Sequence, residues 1–130
     1  MDGTGFRVTV EGTPRTVHPL VREEIYRIGA EALTNAVRHA VATRVDIEIT
    51  YSRKDLTLRV VDNGRGFDAA VLSEGAPRGH FGLTGMRERA RRIRARFEVS
   101  TRTGSGSAVE VRVPASIAYR AERQLEARAG

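Results

Sequence analysis

The sequence predicts an α+β two-layer sandwich of five short strands and two or three helices. Short runs of alternating apolar and polar residues recur five times and are often consecutive, unlike the strict strand–helix alternation of a parallel doubly wound sheet. One stretch in the first third carries helical periodicity instead. The 130 residues, 40% hydrophobic and 29% charged, suffice for a single core.

Residues 6–10 (FRVTV) alternate and open the fold as a strand, and the loop EGTPRTVHP follows, broken by Gly12, Pro14 and Pro19. From Val21 to about Ala42 the pattern is helical. Ile25, Ile28, Ala32, Ala36 and Ala40 form one stripe, widened by Leu33 and Val37, while Glu31, Asn35 and Arg38 line the opposite edge. Residues 45–51 (VDIEITY) and 55–61 (DLTLRVV) are two strands, and the short SRK link between them reads as a hairpin. Residues 68–83 hold Gly75, Pro77, Gly79 and Gly82 but few large apolar anchors, the composition of a mobile loop. A second helix is expected from Thr84 to about Arg94, burying Met86, Ala90 and Ile93. Strands at 97–101 and 108–113 flank the turn TGSGS, and Pro114 closes the last. Residues 1–114 thus read as one domain and 115–130 as a tail that could be helical, with Ile117, Ala121 and Leu125 at four-residue steps.

Several classes are excluded. With no cysteine there are no disulfides or thiolate metal sites. No apolar run approaches the roughly 20 residues of a membrane span, and the start lacks an apolar run of leader length, so a cytoplasmic location is expected, whether free or as the cytoplasmic part of a membrane-bound protein. No GxGxxG opens a helix after a strand, and no GK[ST] loop is present. The net charge of +6 raises the question of an anionic partner. Lys54 is the only lysine, leaving 21 of the 22 basic residues as arginine, a bias that GC-rich coding also produces.

Three segments carry chemistry. In EALTN (31–35), a carboxylate and a carboxamide one helical turn apart share an edge. The amide oxygen of Asn35 is a hard, neutral ligand suited to Mg²⁺, and Glu31 could orient or deprotonate an attacking group, although such a pair on a solvated helix edge is commonplace. In DNGRGF (62–67), Asp62 leaves a strand end where it can accept a hydrogen bond from an exocyclic amine such as adenine's. Gly64 and Gly66 admit close approach, although Asp, Asn and Gly are also ordinary turn residues. In GHFGLTGMRERA (79–90), spaced glycines lead into a helix start, whose free N–H groups favour an anion. The arginines that follow, from Arg87 to Arg96, read mainly as a solvated face.

The order EALTNAVRHA, VVDNGRGF, GHFGLTGMRERA, TGSGSAVEV resembles the catalytic ATPase domain of bacterial sensor histidine kinases, of the superfamily shared with DNA gyrase, a heat-shock chaperone and mismatch-repair ATPases (the GHKL group). GLTGMRERA is most similar to the branch paired with helix-turn-helix response regulators. The resemblance spans roughly residues 17–114. It implies a mixed sheet of about five strands covered by about three helices on one face, ATP and Mg²⁺ as cofactors, and transfer of the γ-phosphate to a histidine on a separate dimerisation domain, with a response regulator downstream. It places Mg²⁺ on Asn35 and the activating acidic role on Glu31, and basic phosphate contacts on Arg38 and His39. It also places adenine recognition on Asp62 with Gly64 and Gly66, the phosphate end of the lid on Gly82, Leu83, Gly85 and Met86, and an adenine-side hydroxyl on Ser107. Two departures stand out. The Leu-Gly-Gly stop expected after the lid helix is replaced by RIRARF, and none of His18, His39 and His80 has the exposed helical setting of a phosphoacceptor.

Two rivals are distinguishable. An anti-sigma-factor kinase would use the same ATP site to phosphorylate serine, and its product would be acid-stable where phosphohistidine is acid-labile. An arginine-rich nucleic-acid-binding module would show salt-sensitive DNA binding and no response to ATP. It lacks stacking residues, since aromatics are only 5% of the chain, so no nucleic-acid partner is expected.

Overall fold

The fold is taken from a computed structural model, which describes residues 3–38, 40–65, 82–101 and 104–120. The elements run β1 (Gly5–Glu11), α1 (Pro19–Arg38), β2 (Arg44–Tyr51), β3 (Asp55–Asp62), α2 (Leu83–Arg92), β4 (Arg96–Thr101), β5 (Ser107–Pro114) and α3 (Ala115–Ala118). The strands form one mixed sheet in the order β1-β2-β3-β5-β4, in which only the β1–β2 pair is parallel. This is the expected α+β arrangement, with the helices contributing to one buried layer. No helix among the described residues is long and apolar enough to cross a membrane.

The core follows from two periodicities meeting. In β3, Leu56, Leu58 and Val60 are buried at two-residue steps, and in β5 Val109, Val111 and Val113 match them through the antiparallel register. Against this face α1 sets Val21, Ile28, Ala32 and Ala36, and α2 sets Leu83, Met86 and Ala90, with Ile93 just past its end. Glu24 on α1 accepts Arg89 at 2.9 Å and lies 3.5 Å from Arg92, tying the two helices together at their rim.

The helix ends differ from expectation in informative ways. α1 begins two residues early because His18 caps it, its Nδ1 accepting the Leu20 N–H at 3.2 Å, while Pro19 occupies a first-turn position that needs no donor. It stops at Arg38 rather than Ala42. There the Ala40 N–H reaches back to the Asn35 carbonyl at 2.9 Å, a six-to-one closure, and Val41 sits at φ 54. Ala40 is buried as the stripe required, but in the turn beyond the helix. At the end of α2, where a glycine stop is missing, Arg94 itself takes φ 52 and the Ala95 N–H closes on the Ala90 carbonyl at 2.9 Å. An arginine in that conformation costs about 1–2 kcal/mol, and the sharp turn it makes is what leads the chain into β4.

Within the expected tail, the described residues 115–120 pack against the rest of the fold. Ala118 is fully buried and Tyr119 is 7% exposed, and Tyr119 pairs with Val17 as an isolated bridge. The expected helical steps at Ala121 and Leu125 lie outside the described residues. The Tyr119 hydroxyl donates to the Asp55 carbonyl at 2.8 Å and accepts the Ser52 N–H at 3.2 Å, pinning the β2–β3 hairpin. Burial raises the pKa of this phenol above its ordinary 10.0, against smaller opposing effects from the Ser52 N–H and Arg15. The neutral phenol is therefore favoured in the folded state. Its contribution to stability is complete below pH 10 and lost as pH rises through the folded pKa. Tyr119→Phe is expected to cost roughly 1–2 kcal/mol at neutral pH, and to flatten the alkaline fall of the melting temperature. A melting series from neutral to alkaline pH that shows the same slope in both proteins would refute this.

Candidate nucleotide-binding site

Among the described residues the buried polar side chains are Asn35 (3% exposed), Asp62 (9%) and Ser107 (8%). Buried polar groups are costly unless partnered, so their gathering near one end of the helix–sheet interface marks that end as special.

Asp62 arrives there by strand periodicity. It continues the buried series Leu56, Leu58, Val60 by one more two-residue step, at the point where the strand ends. Directly opposite in the β3–β5 register stands Ser107. The Ser107 hydroxyl donates to Asp62 Oδ2 at 2.5 Å, and the Gly64 N–H donates to Oδ1 at 2.8 Å. Both carboxylate oxygens are thus oriented by the chain, and their remaining lone pairs can take a ligand donor. An open cleft of about 390 Å³ lies alongside, walled by Asp62, Thr101, Gly106 and Ser107 among others.

The glycines here serve the chain before they serve any ligand. A Cβ on Gly64 would run into the carbonyl oxygen, Cβ and carbonyl carbon of Ala40, at the closed end of α1. Gly106, at φ 89, has its missing Cβ aimed into the Asp62 carbonyl oxygen. Sequence reasoning passed over Gly106, although a glycine next to the Ser107 hydroxyl in TGSGS was the available signal. It also passed over Asn63, whose Oδ1 accepts the Thr43 N–H at 3.0 Å and the Arg44 N–H at 2.9 Å, so that it ties the start of β2 to the turn after β3. The ordinary-turn reading of DNG is therefore correct for its middle residue and insufficient for its first.

Asn35 corrects an expectation. Helical spacing placed it with Glu31 and Arg38 on a polar edge, yet it is buried beside Ala32 and Ala36. The sheet carries polar residues at that end, so the stripe facing it tolerates a carboxamide. Only Arg38 of the three is exposed, and Glu31 is half-buried. A chain of contacts links Asn35 to Asp62. The Asn35 carbonyl accepts Ala40, Ala40 crowds Gly64 and accepts the Arg65 N–H at 2.9 Å, and Gly64 donates to Asp62.

Glu31 faces a different wall. A Cβ on Gly82 (φ 62) would lie 2.6–2.8 Å from the Glu31 carboxyl end, so the glycine makes room for it. Glu31, Thr34, Gly82, Gly85 and Met86 help line a cleft of about 490 Å³ between α1 and α2. The α2 start offers main-chain N–H groups of its first turn there, and nothing crowds Gly85. Leu83 and Met86 are 4% and 1% exposed, so their side chains belong to the core, and what they can present to an anion is backbone. The expected residues thus fall into two groups, Asp62–Gly64–Ser107 and Glu31–Gly82–Gly85, with Asn35 on α1 one turn beyond Glu31 and joined through Ala40 to the first group. His39 and Gly66 lie outside the described residues, as does His80.

The donor chemistry of Asn35 suits a magnesium ion held chiefly by nucleotide phosphates. Mg²⁺ takes few protein oxygens and fills its shell from phosphates and water, and a buried carboxamide one turn from a carboxylate is that kind of donor set. Among the described residues no group of three His, Asp or Glu gathers into a self-sufficient metal cage.

Known proteins resemble this chain in sequence and in fold. Residues 21–117 match the family described as histidine kinase-, DNA gyrase B-, and HSP90-like ATPase. The chain is 36% identical over 94 residues to the sensor protein VraS of Staphylococcus haemolyticus, covering 72% of this chain and 26% of that protein. The VraS of Staphylococcus aureus (strain COL) gives the same identity and coverage. The chain thus spans about a quarter of the length of these curated relatives. In fold it is similar to the histidine kinase domain of the Erythrobacter litoralis EL346 blue-light activated histidine kinase. The TM-score is 0.71 at 24% identity, covering 86% of this chain and 56% of that one. With a matched segment that holds Glu31, Asn35, Asp62, Gly64, Gly82, Gly85 and Ser107, the chain belongs to the histidine kinase-, DNA gyrase B- and HSP90-like ATPase family.

Proposed function

We propose that this chain is the ATP-binding catalytic domain of a two-component sensor histidine kinase, presenting the γ-phosphate of Mg²⁺·ATP to a histidine on a separate dimerisation domain, from which a response regulator would draw it. The observation that carries this reading is the burial of Asn35, Asp62 and Ser107, the three motif residues named for metal and adenine.

Each residue has a definite task. Asp62, its carboxylate fixed by Ser107 and the Gly64 N–H, accepts the adenine amine, which an amine-lacking base cannot supply. The main chain at Gly82, Leu83 and Gly85 offers N–H groups to phosphate oxygens, where the helix dipole favours negative charge. Arg38, exposed at the end of α1, adds positive charge toward the phosphates, a role the resemblance also gives to His39. Asn35 would hold Mg²⁺ by its amide oxygen, and the ion, when bound, neutralises triphosphate charge. Glu31 orients the incoming imidazole and draws off its proton. In phosphoryl transfer positioning and charge neutralisation dominate, so a domain without its acceptor histidine should turn ATP over slowly.

The test is calorimetric titration of Asn35→Ala. Alanine suits the helix and its small neighbours, so the fold should hold. The expected result is a loss of roughly 3- to 10-fold in affinity for ATP with Mg²⁺, and little change in its absence. Equal affinity for Mg²⁺·ATP in the variant and the parent would remove Asn35 from the metal site.

A further inference from the structure

We infer that the outer edge of β1 is a self-association surface, on which a second copy of this chain pairs antiparallel about Thr9 to continue the sheet across both molecules. Among the described residues β1 is the outermost strand on its side of the sheet. It carries Phe6, Val8 and Val10 at 56%, 62% and 53% exposure. Their parallel register partners Val45, Ile47 and Ile49 belong to the core layer, so this apolar row lies on the helix-covered face of the sheet yet remains open to solvent. Free edges are usually blunted by charged side chains, Pro or a bulge; β1 (GFRVTVE) has no Pro, and its charges, Arg7 and Glu11, lie on the face opposite the apolar row.

Main-chain phase selects the pairing. The Gly5 N–H donates to the Thr43 carbonyl at 2.9 Å, on the β2 side. Since N–H and C=O of one residue point the same way and alternate along a strand, Gly5, Arg7, Thr9 and Glu11 address β2. Phe6, Val8 and Val10 therefore direct theirs to the free edge. An antiparallel partner must bond to these even-numbered residues, so the two-fold axis passes through a single residue. With Thr9 on the axis, Val8 lies opposite Val10 twice, and Arg7 lies opposite Glu11 twice. Phe6 then faces Gly12, where no side chain competes for its space. Centring on Val8 places Arg7 opposite Thr9 and loses both ion pairs, while centring on Arg7 or Glu11 sets like charges face to face. The Thr9 register alone is complementary in both charge and apolar contact. Nothing in it involves the nucleotide clefts.

The experiment exploits the absence of cysteine from the chain. Thr9 would form a non-hydrogen-bonded pair with its own copy, in which side chains approach most closely. Thr9→Cys should cross-link to a covalent dimer under mild oxidation, and Glu98→Cys on the opposite edge of the sheet should not. Sedimentation should show reversible dimers of the parent chain, lost in Val8→Lys. Arg7→Glu should weaken dimerisation about tenfold, and the swap Arg7→Glu with Glu11→Arg should restore it. A parent chain that stays monomeric overturns the inference. So does a Thr9→Cys cross-link that survives Val8→Lys, equal cross-linking through Glu98→Cys, or failure of the charge swap to rescue.

Discussion

Asp62→Ala is expected to lower ATP affinity by roughly 10- to 100-fold, the equivalent of one lost charge-assisted hydrogen bond to the base. The loss should reach ATP with and without Mg²⁺ alike, unlike that of Asn35→Ala, because it concerns the base and not the phosphates. Two partners are orphaned in this variant, the Ser107 hydroxyl and the Gly64 N–H, so some stability is also lost. Asp62→Asn keeps the shape and separates the two effects. It should melt near the parent temperature and still bind ATP more weakly. Ser107→Ala, which acts on the ligand through Asp62, should lose less than Asp62→Ala. Calorimetry on the three variants decides the matter. If Asp62→Ala, shown to be folded by its melting curve, bound ATP like the parent, adenine would have to be recognised elsewhere.

Gly106→Ala should be the most damaging single methyl group in the described chain near this site. The residue sits at φ 89, a conformation that costs an L side chain about 1–2 kcal/mol. The new Cβ would also collide with the Asp62 carbonyl oxygen and lie 3.2 Å from Asn63 Cα, both backbone atoms that cannot swing aside. Together these should remove about 3 kcal/mol or more, lowering the melting temperature by roughly 10 °C and displacing the Asp62 turn so that ATP affinity falls as well. Gly85→Ala is the control. A Cβ there meets nothing within 4 Å, inside a helix that alanine favours, so stability should hold or rise slightly. Equal melting temperatures for Gly106→Ala and the parent would show that the turn yields more easily than its geometry indicates.

How much of this was legible beforehand varies by element. The five strands, the SRK hairpin and the core side of α2 could be read from periodicity, since a two-residue or 3.6-residue repeat of Leu, Ile and Val states which face is buried. The short motifs stated which residues do chemistry, and their order along the chain pointed to an ATPase. What periodicity misjudged was Asn35. A polar residue on an amphipathic helix is assigned to solvent by default, and only the sheet beneath it shows a buried polar end. The ends of α1 and α2 were equally hidden. Val41 and Arg94 both take the left-handed conformation despite their side chains, a choice imposed by where the next strand must begin.

The sequence alone therefore determined the architecture, because hydrophobic spacing is a local property that survives without coordinates, and it determined the chemistry class, because four ordered motifs are a one-dimensional signal. Tertiary structure alone decided which residues meet. It put Ser107 opposite Asp62 across two strands separated by 45 positions, made Gly64 and Gly106 necessary for packing, and left Phe6, Val8 and Val10 uncovered. Register and coverage depend on contacts distant in the chain, and no local pattern encodes them.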